Sequence, residues 1–290
     1  MWKEVAQAIA GTTGRSFELQ GEHGIGGGCI NDARRLEGAG GENYFAKANS
    51  PDFLPLFAAE AAGLAEIAAT MTVRVPEPIC SGIAGGRSYL VLEYMKTSSS
   101  GIDSQRQLGE ALAHLHRIEQ AHFGWSCDNA IGATPQPNPH SDNWPSFYRE
   151  HRLRHQFHLA ANRGKTFPGA DELLDLVAAF FADYSPYPSL LHGDLWGGNA
   201  ACDVAGRPFV FDPATYYGDR ETDIAFTHMF GGFSAQFYDA YYGVFPLDPG
   251  FQIRKTLYNL YHELNHYNLF GGGYAASAQA SVDRLLAFSS

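Results

Sequence analysis

No apolar run in this 290-residue chain approaches the roughly 18 residues that a membrane-spanning helix needs. Only four cysteines are present, Cys29, Cys80, Cys127 and Cys202, scattered and without a C-x-x-C pair. Their scarcity argues against a disulfide framework or a zinc ribbon and makes the cytoplasm, with its reducing conditions, the expected compartment. Positive charge is scarce as well: 20 Lys and Arg stand against 31 Asp and Glu, a net charge of -11. An acidic surface repels phosphate backbones, so a nucleic-acid binder is not expected, whereas cationic or neutral substrates are easier to accommodate. There is no internal repeat and no low-complexity segment. The stretch "MWKEVAQAIA" carries Lys3 and Glu4 and reads as an amphipathic helix rather than a signal peptide.

Apolar residues are plentiful, at 45% against 18% charged, enough for a sizeable core. Strands are expected in "SFELQ", "CINDARRLEG", "NYFAKAN", "EPIC" and "RSYLVLEYM", with an Ala- and Leu-rich helix over 54–69. The polar stretch "KTSSSGIDS" reads as a linker, followed by a helix over 104–118 and a long loop over 119–142. Helices over 143–163 and 170–183 precede short strands at 189–192, 200–203 and 208–211. Helices over about 221–230, 234–243, 250–270 and 274–287 complete the chain. The expected architecture is α+β, with a small β-rich lobe over 1–95 and a larger helical lobe over 96–290, not an alternating βαβ pattern.

The chemistry concentrates in "LLHGDLWGGNAACDVAGRPFVFDPA" (190–214). His192, Asp194 and Asn199 have the spacing H-x-D-x-x-x-x-N, and Asp212 follows two short strands later, as in kinase-like phosphotransferases. In that pattern Asp194 accepts a hydrogen bond from the acceptor hydroxyl and aims it at the γ-phosphorus. Asn199 and Asp212 offer hard oxygen ligands for Mg²⁺, and His192 braces the loop. The plain alternative is a Gly-rich turn in which Asp and Asn make Asx turns. Upstream, Lys47 in "YFAKAN" is placed to bind the phosphates of ATP, with Glu60 in "FAAEAAGL" holding it; otherwise both are solvated surface charges. The run "GIGGGCIN" places Gly26, Gly27 and Gly28 where backbone amides could approach phosphates, and it is not a dinucleotide-binding fingerprint. Backbone groups of Glu93, Tyr94 and Met95, at the end of "LVLEYM", are candidates for adenine recognition at an inter-lobe hinge.

With these blocks in place, the sequence resembles the fructosamine kinases and their ketosamine-kinase relatives. The blocks "GGGCI", "FAKAN", "LLHGDLWGGN", "FDPATYYGDRETDIA" and "LNHYNLFGGGY" carry the resemblance, together with "NAIGATPQPNPHSDNWPSFYREHRLRHQ". It implies a protein-kinase-like fold close to that of aminoglycoside phosphotransferases. It implies phosphorylation of the 3-hydroxyl of ketose sugars linked to amines, after which the unstable phosphate eliminates and frees the amine. The implied cofactors are ATP and Mg²⁺, and the implied partners are glycated proteins or free ketosamines. The resemblance implies Asp194 as catalytic acceptor, Asn199 and Asp212 as metal ligands, Lys47 and Glu60 as the phosphate-holding pair, and Asp223 as a brace for the catalytic loop. "HGD" stands where protein kinases have "HRD", so no Arg is available there to read an activation-loop phosphate. Gly197-Gly198 stands where the family commonly has Ser-Gly. Trp196 and His266 are candidate substrate contacts, with ordinary core packing as the alternative. A Cys at position 29 implies a redox-sensitive inter-subunit disulfide, against the plainer reading of a small residue in a tight hairpin; a monomer or a redox-linked homodimer is compatible with this.

One motif points elsewhere. "HELNH", His262 to His266, matches H-E-x-x-H, in which two imidazoles bind zinc and the Glu activates water. The extended pattern fails, because Leu269 and Gly272 stand where a Gly and a third His are required. A zinc peptidase is therefore set aside in favour of a ketosamine 3-kinase. The rivals kept open are a kinase of the same fold acting on an aminoglycoside, choline or another alcohol, and a nucleotide-binding module with an adaptor role.

Overall fold

The computed structural model describes residues 1–26, 30–99 and 101–289. Gly27, Gly28 and Cys29 lie outside the described residues. The first part of the chain forms α1 (Trp2–Thr13), β1 (Leu19–Gly24), β2 (Asp32–Gly38), β3 (Asn43–Asn49), α2 (Leu54–Ala69), β4 (Pro78–Ala84) and β5 (Arg87–Glu93). The strands make one antiparallel sheet in the order β1-β2-β3-β5-β4. β3 is thus central, and its alternation decides where its one Lys points. Ala46 and Val91 pack with Val5 and Ile9 of α1, whereas Leu90 and Leu92 belong to the core under α2. Side chains alternate faces along a strand, so Lys47, paired with Leu90, turns toward α2 and Glu60.

β6 (Thr97–Ser98) and α3 (Ile102–His116) follow. The stretch expected to be a linker therefore holds a short strand, which pairs with β10 (Ala200–Asp203) through Cys202–Ser98 and Asp203–Thr97. The expected long loop over 119–142 is also corrected. It contains a hairpin, β7 (Asn129–Ile131) and β8 (Thr134–Gln136), whose turn residue Gly132 has φ 64. Three-residue strands are too short to show a hydrophobic alternation, which is why the sequence pattern missed them.

Next come α4 (Trp144–Tyr148), a π-helical stretch (Arg149–Arg154), α5 (His155–Asn162) and α6 (Ala170–Leu176), so the single helix expected over 143–163 is interrupted. β9 (Ser189–Leu191), β10, β11 (Pro208–Val210) and β12 (Tyr216–Gly218) carry the chemical motifs. β10 pairs with β11, and β12, which sequence reading did not find, pairs with β9. The chain closes with α7 (Glu221–Thr227), α8 (Ala235–Val244), α9 (Phe251–Phe270) and α10 (Tyr274–Ser289). A buried ion pair, Arg254 of α9 to Glu221 of α7 at 2.7 Å, fixes these helices against each other. Among the described residues no helix is long and apolar enough to cross a membrane.

Candidate active site

Two loops meet at the site, and backbone hydrogen bonds join them. Ala214 N donates to His192 O at 2.9 Å, and Phe211 N donates to Asn199 O at 3.0 Å. The loop after β9 therefore holds Asp194 and Asn199 beside the Asp212 segment. His192 adds a side-chain tie: its Nε2 donates to Phe211 O at 3.0 Å, and its Nδ1 accepts from Asp194 N at 3.3 Å. One donating and one accepting nitrogen define a neutral imidazole, and burial pulls the His192 pKa down in agreement.

Asp223 holds the same loop from below. Its Oδ2 accepts from His192 N and its Oδ1 from Gly193 N, both at 2.8 Å. His116 Nε2 donates to Asp223 Oδ2 at 3.1 Å, while His116 Nδ1 pairs with the Tyr241 hydroxyl at 2.8 Å. Burial works to raise the Asp223 pKa, but the hydrogen bonds from His116 and the Gly193 amide outweigh it and hold it below the usual range. Asp223 is thus a brace, the role expected of it. Neither His116 nor Tyr241 was singled out from the sequence, where a His inside a helix carries no signal of its partner.

Lys47 joins the two parts of the molecule. Its Nζ lies 2.7 Å from Glu60 Oε1 and 2.7 Å from Asp212 Oδ1. Lys47 and Glu60 are nearly enclosed, at 6% and 14% exposed, whereas Asp212 keeps 41% of its side chain open. The reading of Lys47 and Glu60 as solvated surface charges is therefore overturned. Burial alone would lower the lysine pKa, but Asp212 and Glu60 keep it above its ordinary value. Asp194 behaves oppositely. Burial, then the Asp212 charge, pushes its carboxyl well above the ordinary range, although Asn199 donates to it.

Asn199 Nδ2 donates to Asp194 O at 2.9 Å and to Asp194 Oδ2 at 3.1 Å, which leaves its Oδ1 as the atom it can offer a cation. With the open Asp212 carboxylate, this is an oxygen pair. Among the described residues no group of three or more His, Cys, Asp or Glu is arranged to hold a metal by itself. The donor set fits Mg²⁺, which takes one or two protein oxygens and completes its shell with water and phosphates. Asp212 has φ 57, a left-handed conformation that Asp tolerates better than most residues.

The expected hinge lies at the end of β5. Glu93 N already donates to Glu77 O at 2.8 Å, so that amide is engaged within the protein, and Met95 lies just past the strand. Gly26 is exposed after β1, which runs on to Gly24, beyond the expected strand "SFELQ".

Beside Asp194, Trp196 is 38% exposed and meets Phe230 edge-on at 5.9 Å. Phe230 in turn contacts His266 at 5.2 Å, and His266 contacts Tyr274 at 5.0 Å. The two candidate substrate residues therefore share one aromatic wall, with the 44%-exposed Phe230 between them. Phe230 was missed in the sequence; its i,i+4 spacing from Phe226 was the available signal. Gly197 also has a reason here, because a Cβ on it would lie 2.8 Å from Gly231 O. In "HELNH", His262 stacks flat on Phe226 at 3.5 Å, and His266 Nδ1 bonds to His262 O at 2.7 Å. Glu263 instead lines a groove between α9 and α10 with Ser281 and Arg284. The Glu and the two His thus serve different surfaces.

A sheet-borne Lys paired with a helical Glu, an Asp-Asn loop and a second Asp, set between a β-sheet and a helical part, define a phosphotransferase of the protein-kinase-like fold. Comparison with known proteins narrows the class. The family model described as "Fructosamine kinase" matches residues 1–288, and the chain belongs to that family. A probable ketoamine kinase of Synechocystis sp. is 49% identical over 286 residues, covering 98% of this chain and 97% of that protein. A chloroplastic protein-ribulosamine 3-kinase of Arabidopsis thaliana is 39% identical over 281 residues, covering 95% and 85%. The crystal structure of a candidate fructosamine-3-kinase from Haemophilus somnus 129PT aligns with a TM-score of 0.93 at 31% identity, covering 99% and 98%.

Proposed function

We propose that this protein is an ATP-dependent ketosamine 3-kinase. It transfers the γ-phosphoryl group to the 3-hydroxyl of a ketose sugar joined to an amine, and so begins deglycation. The observation that carries this reading is the convergence of Lys47 on Glu60 and Asp212 beside Asp194, within a chain whose family is the fructosamine kinases.

In the transfer, the acceptor oxygen forms a bond to the γ-phosphorus, the bond to the bridging oxygen breaks, and the hydroxyl proton passes to Asp194. Asn199 fixes the Asp194 carboxylate by its amide hydrogens. Lys47 neutralises phosphate oxygens and is kept in place by Glu60. Asp212 and the Asn199 Oδ1 would hold Mg²⁺, which would supply positive charge against the charge that develops on the transferring phosphoryl group. Residues 1–95 serve as the nucleotide lobe and 96–290 as the acceptor lobe, with Met95 and the Glu93 carbonyl as adenine contacts. Trp196 and His266 line the sugar and amine side. The acidic surface suits a protonated ketosamine, and the cytoplasm is the proposed compartment.

The test is ATP consumption with Mg²⁺ against ribulosamine- and fructosamine-modified lysine, free sugars, choline and an aminoglycoside. Turnover confined to ketosamines and lost in Asp194→Asn is expected. Turnover only on choline or the aminoglycoside would overturn the substrate class while keeping the mechanism. Loss of activity with EDTA and return with Mg²⁺, but no response to a zinc-specific chelator, is the expected metal behaviour.

A further inference from the structure

The segment that carries Asp212 is bonded by residues outside the Lys-Glu pair and the H-x-D-x-x-x-x-N and Asp motifs, within the 129–156 block. Asn129 Nδ2 donates to Thr215 O at 2.8 Å, and Gln136 Nε2 donates to Ala214 O at 3.1 Å. The same Gln136 nitrogen reaches Asn129 Oδ1 at 2.9 Å, and Gln136 Oε1 accepts from the Tyr261 hydroxyl at 2.6 Å. Asn138 Nδ2 donates to Asn129 Oδ1 at 3.0 Å, and Arg152 Nη2 donates to Asn138 Oδ1 at 2.7 Å. Asn129, Gln136, Asn138 and Arg152 are 6%, 1%, 1% and 0% exposed. The guanidinium lies 4.1 Å over the Tyr216 ring, and among the described residues no carboxylate pairs with it.

Burying three amides and an unpaired cation is costly, and apolar side chains of the same volume would stabilise the fold as well or better. What Asn129 and Gln136 add is position, since each fixes a backbone carbonyl of the segment, while Asn138 holds Asn129. Those carbonyls, Ala214 and Thr215, follow within three residues of Asp212, whose φ of 57 must be held by its surroundings. Ala214 also carries the amide bonded to His192 O, so one residue ties the hairpin to both loops of the site.

We propose that Gln136 and Asn129, backed by Asn138 and Arg152, are positioning residues that hold Asp212 in its metal-binding conformation. They supply with fixed amides the order that protein kinases obtain from a phosphorylated activation segment. The inference rests on the reading of Asp212 as a Mg²⁺ ligand.

The experiment measures the Mg²⁺ concentration for half-maximal activity, at saturating ATP and fructosamine-modified lysine, for the full chain and three variants. Gln136→Met keeps the volume and removes the bonds. Val282→Ala, on the buried side of α10, controls for plain destabilisation. Asp212→Asn tests the ligand itself. Thermal melting of each protein is recorded alongside. Loss of an outer-shell partner costs about 10–100-fold in metal affinity or activity, so Gln136→Met should need at least about tenfold more Mg²⁺, and Val282→Ala no more than the parent. A Gln136→Met protein with the parent's Mg²⁺ requirement, or one shifted no further than Val282→Ala, overturns the inference. Should Gln136→Met not fold, Gln136→Glu, which keeps the acceptor for Tyr261 but not the donor to Ala214, is judged by the same shift. An Asp212→Asn enzyme with normal Mg²⁺ dependence would instead sink the reading of Asp212 itself.

Discussion

A Cβ placed on Gly193 would lie 2.1 Å from the Ala214 carbonyl oxygen. Gly193 also has φ 80, where an L side chain costs about 1–2 kcal/mol. Its amide meanwhile donates to Asp223. The "HGD" sequence is thus a packing requirement, because the Asp212 segment crosses directly over the position where protein kinases carry Arg. Gly193→Ala, and more so Gly193→Arg, should separate the two catalytic loops. Activity is expected to fall at least about tenfold, which corresponds to only 1.4 kcal/mol at the transition state. The melting temperature should drop by about 2–4 °C per kcal/mol lost. Steady-state rates and thermal melts check both.

Asp194 is held in a form that costs stability. Burial and the Asp212 charge raise its pKa in the folded state, so ionising Asp194 costs more in the folded protein than in the unfolded chain. The penalty is fully present above the raised folded pKa, shrinks as pH falls through it, and vanishes below the unfolded value of about 3.8. Asp194→Asn should therefore abolish phosphoryl transfer and raise the melting temperature at neutral pH, with the gap closing toward acid pH. Melts of both proteins from pH 4 to pH 8 measure this. A variant less stable than the parent at neutral pH would contradict it. Such a gain on removing a reacting group is the usual trade between stability and activity.

Helix α2 is tied to the helical part by a residue outside every motif. Glu66 Oε2 accepts from Trp125 Nε1 at 2.8 Å, and Glu66 Oε1 accepts from the Tyr217 hydroxyl at 2.6 Å. Gly63 lets the helix close on Thr215, whose Oγ1 would sit 2.6 Å from an added Cβ. These contacts keep Glu60 in reach of Lys47. Glu66→Gln can keep both bonds, its amide oxygen accepting from Trp125 and its N–H₂ donating to the Tyr217 hydroxyl oxygen. The informative change is therefore Glu66→Leu, which leaves both partners unpaired and should cost about 1–3 kcal/mol. The expected kinetic result is a raised KM for ATP with a smaller change in kcat, read from initial rates at varied ATP.

The sequence made the centre of the site legible because its residues sit in local motifs. His192, Asp194 and Asn199 fall within eight positions, and the strands around them were placed to within a residue. Helix α2 showed its full length through its Ala and Leu content. The pairing of Lys47 with Glu60 was inferred from order along the chain, but its second partner, Asp212, was not, since no local pattern links residues 165 positions apart. The supports were not legible. Gln136 and Asn129 sit in a hairpin with strands too short to alternate, and β12 is equally short. Within the π-helical turn at Arg149–Arg154, Arg152 reaches back to Pro137 O and Asn138, long-range bonds that helix propensity does not encode.

The aromatic wall offers the sharpest check on the acceptor side. Trp196 lies over Gly198, so that a Cβ on Gly198 would fall 2.3 Å from the ring. Gly198→Ala must therefore displace the indole without removing it, while Trp196→Ala removes it. If the ring packs against the ketosamine, both changes weaken the same contact. An aromatic contact is worth about 0.5–1.5 kcal/mol beyond the area it buries, so the KM for ketosamine should rise at least roughly 2- to 12-fold. The KM for ATP should stay unchanged, because Lys47, Glu60 and Asp212 are untouched. His266→Ala, which removes the far support of Phe230, should shift the ketosamine KM in the same direction by less. Initial rates with each substrate varied in turn separate these effects. A Gly198→Ala enzyme with the parent's ketosamine KM and an altered ATP KM would place the indole on the nucleotide side instead.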